Sequence, residues 1–161
     1  MTNEVVIKTD KLTKRFGNFI ATNEVTFEVY AGEIFGFLGA NGAGKTTAMK
    51  MLCGLSKPSS GNATIAGFDI YKQTEEIKKN IGYMSQKFSL YEDLTVIENI
   101  QFFGGIYGLS DKQLKAKSNE LIETLGLQSE AKKLVASLPL GWKQKLAFSV
   151  AVIHEPKIVF L

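Results

Sequence analysis

Apolar residues in the first half of the chain follow the spacing of β-strands. Short apolar runs predict strands at residues 5–8, 25–29, 34–38, 62–66 and 81–84, with one more at 157–161. The run at 34–38 is continuous, which is typical of a central strand covered on both faces. Residues 46–55 predict a helix between strands, so the pattern favours an α/β fold.

Helical spacing dominates the second half of the chain. Thr95 followed by Glu98 forms a capping box before a helical run of apolar residues, and a second helix begins at Ser110 and Asp111. A third helix is expected from about Trp142 to His154. We therefore divide the chain into an N-terminal core portion (1–86), a helical subdomain (87–140) and a helix and strand that return to the core (141–161).

Composition excludes several classes of protein. The 161 residues are 45% hydrophobic and 22% charged, as expected of a folded domain rather than a disordered chain. No apolar run approaches the ~20 residues that span a bilayer, and we expect a cytoplasmic location. The net charge of +3 is dispersed, so no nucleic-acid partner is expected. Cys53, the one cysteine, is predicted to be buried and inert.

A phosphate-binding motif gives the strongest functional signal. Gly39, Gly44, Lys45 and Thr46 satisfy the pattern G-x-x-x-x-G-K-[ST]. The glycines allow successive N–H groups to face a phosphate, Lys45 supplies a point charge, and the Thr46 hydroxyl suits Mg²⁺. The expected nucleotide contacts are Gly39, Asn41, Gly42, Ala43, Gly44, Lys45, Thr46 and Thr47. GTPases, kinases and helicases share this motif, so it predicts a nucleotide site without naming the function.

Three further segments narrow the choice of family. Residues 12–17, 82–86 and 88–99 resemble stretches of ABC transporter ATP-binding subunits, of the ABC-2-type exporter subfamily. The resemblance implies a RecA-like P-loop core with N-terminal antiparallel strands and a helical insert. It implies that Phe16 stacks on adenine, although a core phenylalanine is the alternative. It also implies that Gln86 belongs to the Q-loop, which senses Mg²⁺ and the attacking water, so Lys45 and Gln86 are the expected catalytic residues.

The chain departs from this family at the signature motif. Where the family has Leu-Ser-Gly-Gly-Gln, residues 138–142 read Leu-Pro-Leu-Gly-Trp, and only Leu138 and Gly141 match. Pro139 removes a hydroxyl and a backbone donor, although the helix that follows still favours phosphate. We interpret the variant as a subfamily form, in which Leu138 and Gly141 contact the nucleotide of the opposite subunit.

The resemblance implies an ATP-binding subunit that couples ATP hydrolysis to export. ATP and Mg²⁺ are the implied ligands; a membrane-spanning subunit and a second ATP-binding domain are the implied partners at the inner face of the cell membrane. The alternatives are a soluble ABC-type ATPase of translation or DNA repair and a regulatory ATP-binding module. Because the sequence stops at Leu161, just before the family's Walker B aspartate and catalytic glutamate, we expect a truncated subunit that binds ATP without efficient hydrolysis.

Overall fold

The computed structural model describes residues 4–85 and 90–161 of the chain. The elements in these residues are β1 (Val5–Phe16), β2 (Phe19–Tyr30), α1 (Lys45–Leu52), β3 (Ser60–Ile65), β4 (Phe68–Asp69), α2 (Thr74–Asn80), β5 (Ile81–Tyr83), α3 (Val96–Ile106), α4 (Asp111–Thr124), a 3-10 helix (Val135–Ser137), α5 (Leu140–Ala151) and β6 (Ile158–Phe160). The chain divides into two compact units, Met1–Ile81 and Gly82–Leu161.

An antiparallel sheet organises the first unit. Its strand order is β2-β1-β3-β4, and β1 and β2 form a long hairpin that runs from the Val5–Tyr30 pair to the Phe16–Phe19 pair. Gly17, with φ of 58°, makes the turn at the tip in a conformation that favours glycine. α1 contacts β2, and α2 contacts β4. The largest fully buried side chains here include Leu12, Met51, Leu52, Ile65 and Ile77.

Residues 33–40 do not form the central strand that their apolar run predicts. Ile34 and Leu38 are almost fully exposed, at 101% and 96%. Phe35 instead stacks on Phe27 of β2 with ring centroids 5.0 Å apart, and Phe37 meets the same ring edge-on at 5.3 Å. The prediction is wrong because a central strand needs neighbouring strands at both edges, and this run pairs with none of the described strands.

The second unit has an apolar core between its helices. Val96 and Ile100 of α3, Val135 of the 3-10 helix and Leu146 of α5 are fully buried in one cluster. The capping box predicted at Thr95 is confirmed, and α4 has a second one, made by Ser110 and Gln113. β5, at the boundary of the units, pairs with β6, and the Met84 N–H donates to the Phe160 carbonyl at 2.9 Å.

The other predicted helices and strands are confirmed, but two strands are much longer than expected: β1 continues eight residues past the predicted strand 5–8, and β2 begins six residues before the predicted strand 25–29. The structure adds β4 and α2, which no prediction included. α2 has a single buried residue, Ile77, among polar neighbours, so its sequence carries no apolar period. Cys53 is buried, at 1% exposed. Within residues 4–85 and 90–161, none of the helices is both long and apolar enough to cross a membrane.

Candidate nucleotide-binding site

The glycine-rich loop leads directly into the first turn of α1. Inside the loop the Ala43 N–H donates to the Ala40 carbonyl at 3.2 Å, and the helix begins with Ala48 N–H donating to the Gly44 carbonyl at 2.8 Å. Gly44 caps α1 with φ of 83°, no side chain caps the helix, and its first turn contains no acidic residue. The backbone donors and the positive end of the helix dipole therefore favour an anion here.

Gly44 is required by a close approach of β2. A Cβ atom at this position would lie 2.0 Å from the Ala21 carbonyl oxygen and 3.0 Å from Thr22 Oγ1. The Thr22 hydroxyl also donates a long hydrogen bond, 3.4 Å, to the Gly44 carbonyl. The end of the P-loop is therefore held against the β1–β2 hairpin.

Lys45 folds back along the loop that precedes it. Its ammonium Nζ donates to the Gly39 carbonyl at 2.6 Å and to the Ala40 carbonyl at 2.8 Å. The positive charge is thus concentrated at the loop, beside the helix terminus, where phosphate oxygens are favoured. Asn41, Gly42, Ala43 and Thr46 are exposed, whereas Thr47 is partly buried.

Phe16 lies at the tip of the hairpin that contacts the P-loop. It pairs with Phe19 across the turn and is 56% exposed. Two positions earlier, Lys14 is opposite Thr22, the residue that contacts Gly44. At ~3.3 Å per strand residue, Phe16 is ~7 Å further along the strand from that contact. The hairpin therefore brings together two of the predicted site elements, Phe16 and the P-loop, within the first unit.

Gln86 lies outside the described residues, so its assignment to the Q-loop stays a prediction. The described segment that follows is anchored by Asn99, which is fully buried. Its Oδ1 accepts from the Tyr91 N–H at 2.9 Å, and its Nδ2 donates to the carbonyls of Tyr91 and Thr95 at 2.9 and 3.0 Å. Asn99 thereby fixes the backbone of residues 91–95 before α3, a role that nothing in the sequence indicated.

The variant signature spans the start of α5 in the second unit. Leu138 is only 6% exposed and packs in the apolar core, so its side chain is not presented to a ligand. Pro139 occupies the cap position without a side-chain hydrogen bond, and Gly141 is exposed in the first turn. Lys145 places its ammonium 5.0 Å from the centre of the Trp142 ring. A phosphate here would contact backbone donors and Gly141 rather than the Leu138 side chain.

The described residues of the first unit offer one side chain that suits Mg²⁺, the hydroxyl of Thr46. No group of three or more His, Cys, Asp or Glu side chains that could hold a metal occurs in the described parts of the chain. Thr46 offers an exposed hydroxyl in the first turn of α1. Mg²⁺ is commonly held by few protein ligands together with substrate phosphates and waters, and Thr46 fits that arrangement.

The arrangement of hairpin, P-loop and helix terminus defines a P-loop nucleotide-binding fold. The family model described as "ABC transporter" matches residues 22–161. The chain therefore belongs to the ABC transporter family.

Several relatives carry names that describe ATP-binding components. The chain is 49% identical over 158 residues to the "Probable multidrug ABC transporter ATP-binding protein YbhF" of Escherichia coli (strain K12), covering 98% of the chain and 27% of that protein. It is 40% identical to the "Bacitracin transport ATP-binding protein BcrA" of Bacillus licheniformis, covering 97% of the chain and 50% of that protein. The chain thus spans half or less of these relatives.

Solved structures show the same fold. One described as "Structure of ATP binding subunit of ABC transporter" superposes with a TM-score of 0.82 and 28% identity, over 96% of this chain and 64% of that chain. The structure of cbiO1 from Clostridium perfringens, part of the ABC transporter complex cbiONQ, has a TM-score of 0.79 over 97% of this chain and 64% of that chain. At 22% identity, the second supports the fold alone.

Proposed function

We propose that the chain is the ATP-binding part of an ABC exporter, which couples ATP binding and hydrolysis to transport across a membrane. One observation carries this proposal: the P-loop ends at the uncapped N-terminus of α1 and contacts the hairpin that presents Phe16. Phosphate would bind at the loop and adenine at the hairpin tip. A single ATP molecule would therefore contact both the P-loop and the hairpin tip.

Each predicted residue has a distinct task at this site. Backbone N–H groups between Gly39 and Thr47 bind the phosphate oxygens, and the ammonium of Lys45 moves from the loop carbonyls to the β- and γ-phosphates. Thr46 would hold Mg²⁺, which when bound neutralises charge on the phosphates. Gln86 would sense that ion and orient the attacking water, as the family resemblance implies. Phe16 stacks on the adenine ring through its exposed face.

The partners we propose are a membrane-spanning subunit and a second ATP-binding domain, at the cytoplasmic face of the membrane. Leu138 and Gly141 would lie near the nucleotide of that second domain, with Gly141 and the backbone at the start of α5 making the contact. We retain the proposed division at residues 86 and 140, with the helical subdomain facing the membrane subunit. An exposed apolar surface formed by α3 and the segment before it supports this: the ring of Tyr91, which precedes α3, meets the Phe102 ring edge-on at 4.9 Å, and Ile106 at the end of α3 is 62% exposed.

Nucleotide binding is the first test of the proposal. The Kd for Mg-ATP is measured by calorimetry on the purified chain and on Lys45→Ala. Lys50→Ala is the matched control, because Lys50 is an exposed lysine in the last turn of the same helix. We expect the Lys45 change to weaken binding by more than about tenfold, as for a lost charge-assisted hydrogen bond, and the control to bind normally. Equal affinities in all three proteins would refute a P-loop site.

Turnover separates the proposal from its alternatives. Phosphate release is measured on the protein as its gene encodes it, with and without its membrane subunit, and Lys45→Ala gives the background. An exporter ATPase should exceed that background and respond to the membrane subunit. A regulatory module would bind ATP with no turnover above background, and a soluble ABC-type ATPase would turn over with no membrane partner at all. Either result would overturn the exporter assignment.

A further inference from the structure

Lys14 makes two contacts at the end of β1 that the proposed function leaves unexplained. Its ammonium Nζ lies 5.1 Å from the centre of the Phe16 ring, a cation–π geometry. The same Nζ donates a hydrogen bond of 2.6 Å to the backbone carbonyl of Lys57. Lys14 and Phe16 are two residues apart on β1, and the cation–π contact places them side by side although the pairing with β2 shifts register between Lys14 and Arg15.

The loop that holds Lys14 is itself attached to β1 on both sides of this residue. The Ser59 N–H donates to the Thr13 carbonyl at 2.8 Å. The Arg15 N–H donates to Ser59 Oγ at 3.0 Å. The Lys57 carbonyl therefore stands at a fixed place relative to the strand, and the Lys14 ammonium is held there by a short hydrogen bond rather than free in solvent.

A fixed ammonium restricts the orientation of the neighbouring Phe16 ring. Phe16 is 56% exposed, so core packing does not determine its orientation. The ammonium attracts one face of the ring, and a planar base that stacks on Phe16 would use the other. Side chains that are already ordered lose less conformational entropy when a ligand binds.

We propose that Lys14 is a positioning residue for the nucleotide base: anchored on the Lys57 carbonyl, it orients the Phe16 ring for adenine stacking while contacting neither base nor phosphate. The inference rests on the proposed ATP site. It predicts that Lys14 contributes only to the part of the affinity that depends on the base. A lysine that merely attracted anions would contribute equally to every ligand that carries the same phosphates.

The test compares two ligands, Mg-ATP and inorganic tripolyphosphate with Mg²⁺, and measures the Kd of each by calorimetry. Lys14→Met removes the charge but keeps an unbranched apolar side chain. Lys14→Arg keeps a cation that can lie over the ring. Lys57→Met removes a neighbouring positive charge but leaves the backbone carbonyl that anchors Lys14, and it serves as the matched control. Circular dichroism and thermal unfolding of each variant establish that it is folded.

Lys14→Met should raise the Kd for ATP about two- to fivefold, the effect of one exposed cation–π contact, with the Kd for tripolyphosphate unchanged. Lys14→Arg should restore the ATP value, and Lys57→Met should leave the ratio of the two constants unaltered. A parallel loss for both ligands in Lys14→Met, or no loss for either, would overturn the inference.

A further variant distinguishes this failure from a failure of the proposed site. Phe16→Ala should weaken ATP binding at least as much as Lys14→Met and leave tripolyphosphate binding intact. If it weakens ATP binding while Lys14→Met does not, only the role of Lys14 is refuted. If Phe16→Ala binds ATP normally, the stacking on which the inference rests is wrong, and a wild-type chain that binds neither ligand refutes the proposed function itself.

Discussion

The ammonium of Lys143 lies 2.7 Å from the carboxylate of Glu92, a residue 51 positions earlier in the chain. The Glu92 carbonyl also accepts from the Ala136 N–H at 3.0 Å. Glu92 belongs to the segment that follows Gln86, and Lys143 lies in the first turns of α5, directly after the variant signature. The pair therefore ties the segment before α3, part of a stretch that resembles the exporter subfamily, to the first turns of α5.

This ion pair should contribute little to stability. The side chain of Glu92 is 66% exposed and that of Lys143 is 17% exposed, so water screens the attraction. In a double-mutant cycle of Glu92→Gln and Lys143→Gln, we expect a coupling energy of about 1 kcal/mol or less, which falls as salt is added. Urea unfolding measures it. A coupling that is several times larger and insensitive to salt would show that the pair is effectively buried.

Gly44 and Gly42 offer a matched comparison at the P-loop. Both have positive φ, 83° for Gly44 and 85° for Gly42. A Cβ atom at Gly44 would lie 2.0 Å from the Ala21 carbonyl oxygen, whereas a Cβ atom at Gly42 would have no neighbouring atom within 4 Å. Gly42→Ala should cost about 1–2 kcal/mol, the penalty for a left-handed backbone. Gly44→Ala should cost clearly more, because the clash is added to that penalty, and should displace β2 from the loop.

Urea unfolding of the two glycine variants gives the difference directly. Since the clash separates Gly44 from the hairpin that carries Phe16, ATP affinity should fall further in Gly44→Ala than in Gly42→Ala. Indistinguishable unfolding free energies would mean that β2 does not approach the loop as closely as the structure has it.

Features that depend on residues close in sequence could be predicted. The P-loop motif, the capping box of Thr95 and Glu98, and the burial of Cys53 all depend on neighbours a few residues away. The family resemblance also allowed the fold class to be predicted. The starts of α3 and α4 also followed, because capping residues and apolar periodicity agree there.

Features that depend on distant partners could not be predicted. The contact between Thr22 and Gly44, and the Lys57 carbonyl that holds Lys14, require the register of the hairpin and the path of a loop. Hydrophobic periodicity gives neither. The run at 34–38 is a further example, since an apolar sequence favours a strand but does not show which strands would lie beside it. Its phenylalanines pack on Phe27 instead.

Asn99 should be among the most sensitive positions of the second unit. It is fully buried; its Oδ1 accepts one hydrogen bond from the Tyr91 N–H, and its Nδ2 donates to the carbonyls of Tyr91 and Thr95, with the Leu94 carbonyl also 3.4 Å away. Asn99→Asp keeps the shape but turns a carboxylate oxygen toward three carbonyl oxygens. We expect a loss of about 3 kcal/mol or more in the free energy of unfolding, as for an unpaired buried charge.

Asn99→Leu is the comparison for this position. It introduces no charge and leaves the Tyr91 N–H without its acceptor, whereas the carbonyls of Tyr91, Leu94 and Thr95 keep hydrogen bonds from the N–H groups of Leu94, Val135 and residue 99. One unsatisfied buried donor costs about 1–3 kcal/mol. Chemical denaturation at neutral pH should therefore show both variants destabilised, with Asn99→Asp the worse. Wild-type stability in either variant would contradict the hydrogen-bond network described here.

The capping box of α3 should make stability depend on pH. Hydrogen bonds from the Thr95 hydroxyl and then from the Thr95 N–H hold the pKa of Glu98 below its ordinary value. The carboxylate therefore stabilises the folded state fully above the ordinary carboxyl pKa, and this stabilisation is lost as the pH falls through the lowered one. Glu98→Gln should flatten the dependence of unfolding free energy on pH in the acidic range.

Glu120→Gln, at an exposed position of α4, is the control for that experiment. Thr95→Ala removes the hydroxyl that caps α3 and should cost about 1 kcal/mol at neutral pH. If Glu98→Gln retains the wild-type acidic slope, the carboxylate does not take part in the cap.

Cys53 provides a chemical probe of the helix that carries the P-loop. It caps the C-terminus of α1, and burial raises the pKa of its thiol to about 12. Only about one thiol in ten thousand would be ionised near pH 8, and the thiolate is the reactive form. A disulfide reagent such as DTNB should therefore react very slowly with the native chain and quickly in urea, with Cys53→Ala as the blank.

Because ATP binds only the folded form under the proposed function, saturating ATP should slow the native reaction further, in proportion to the suppressed opening of α1. Rapid labelling of the native chain would show that the thiol is accessible, and labelling of native chain at a rate independent of ATP would show that α1 opens without releasing the nucleotide.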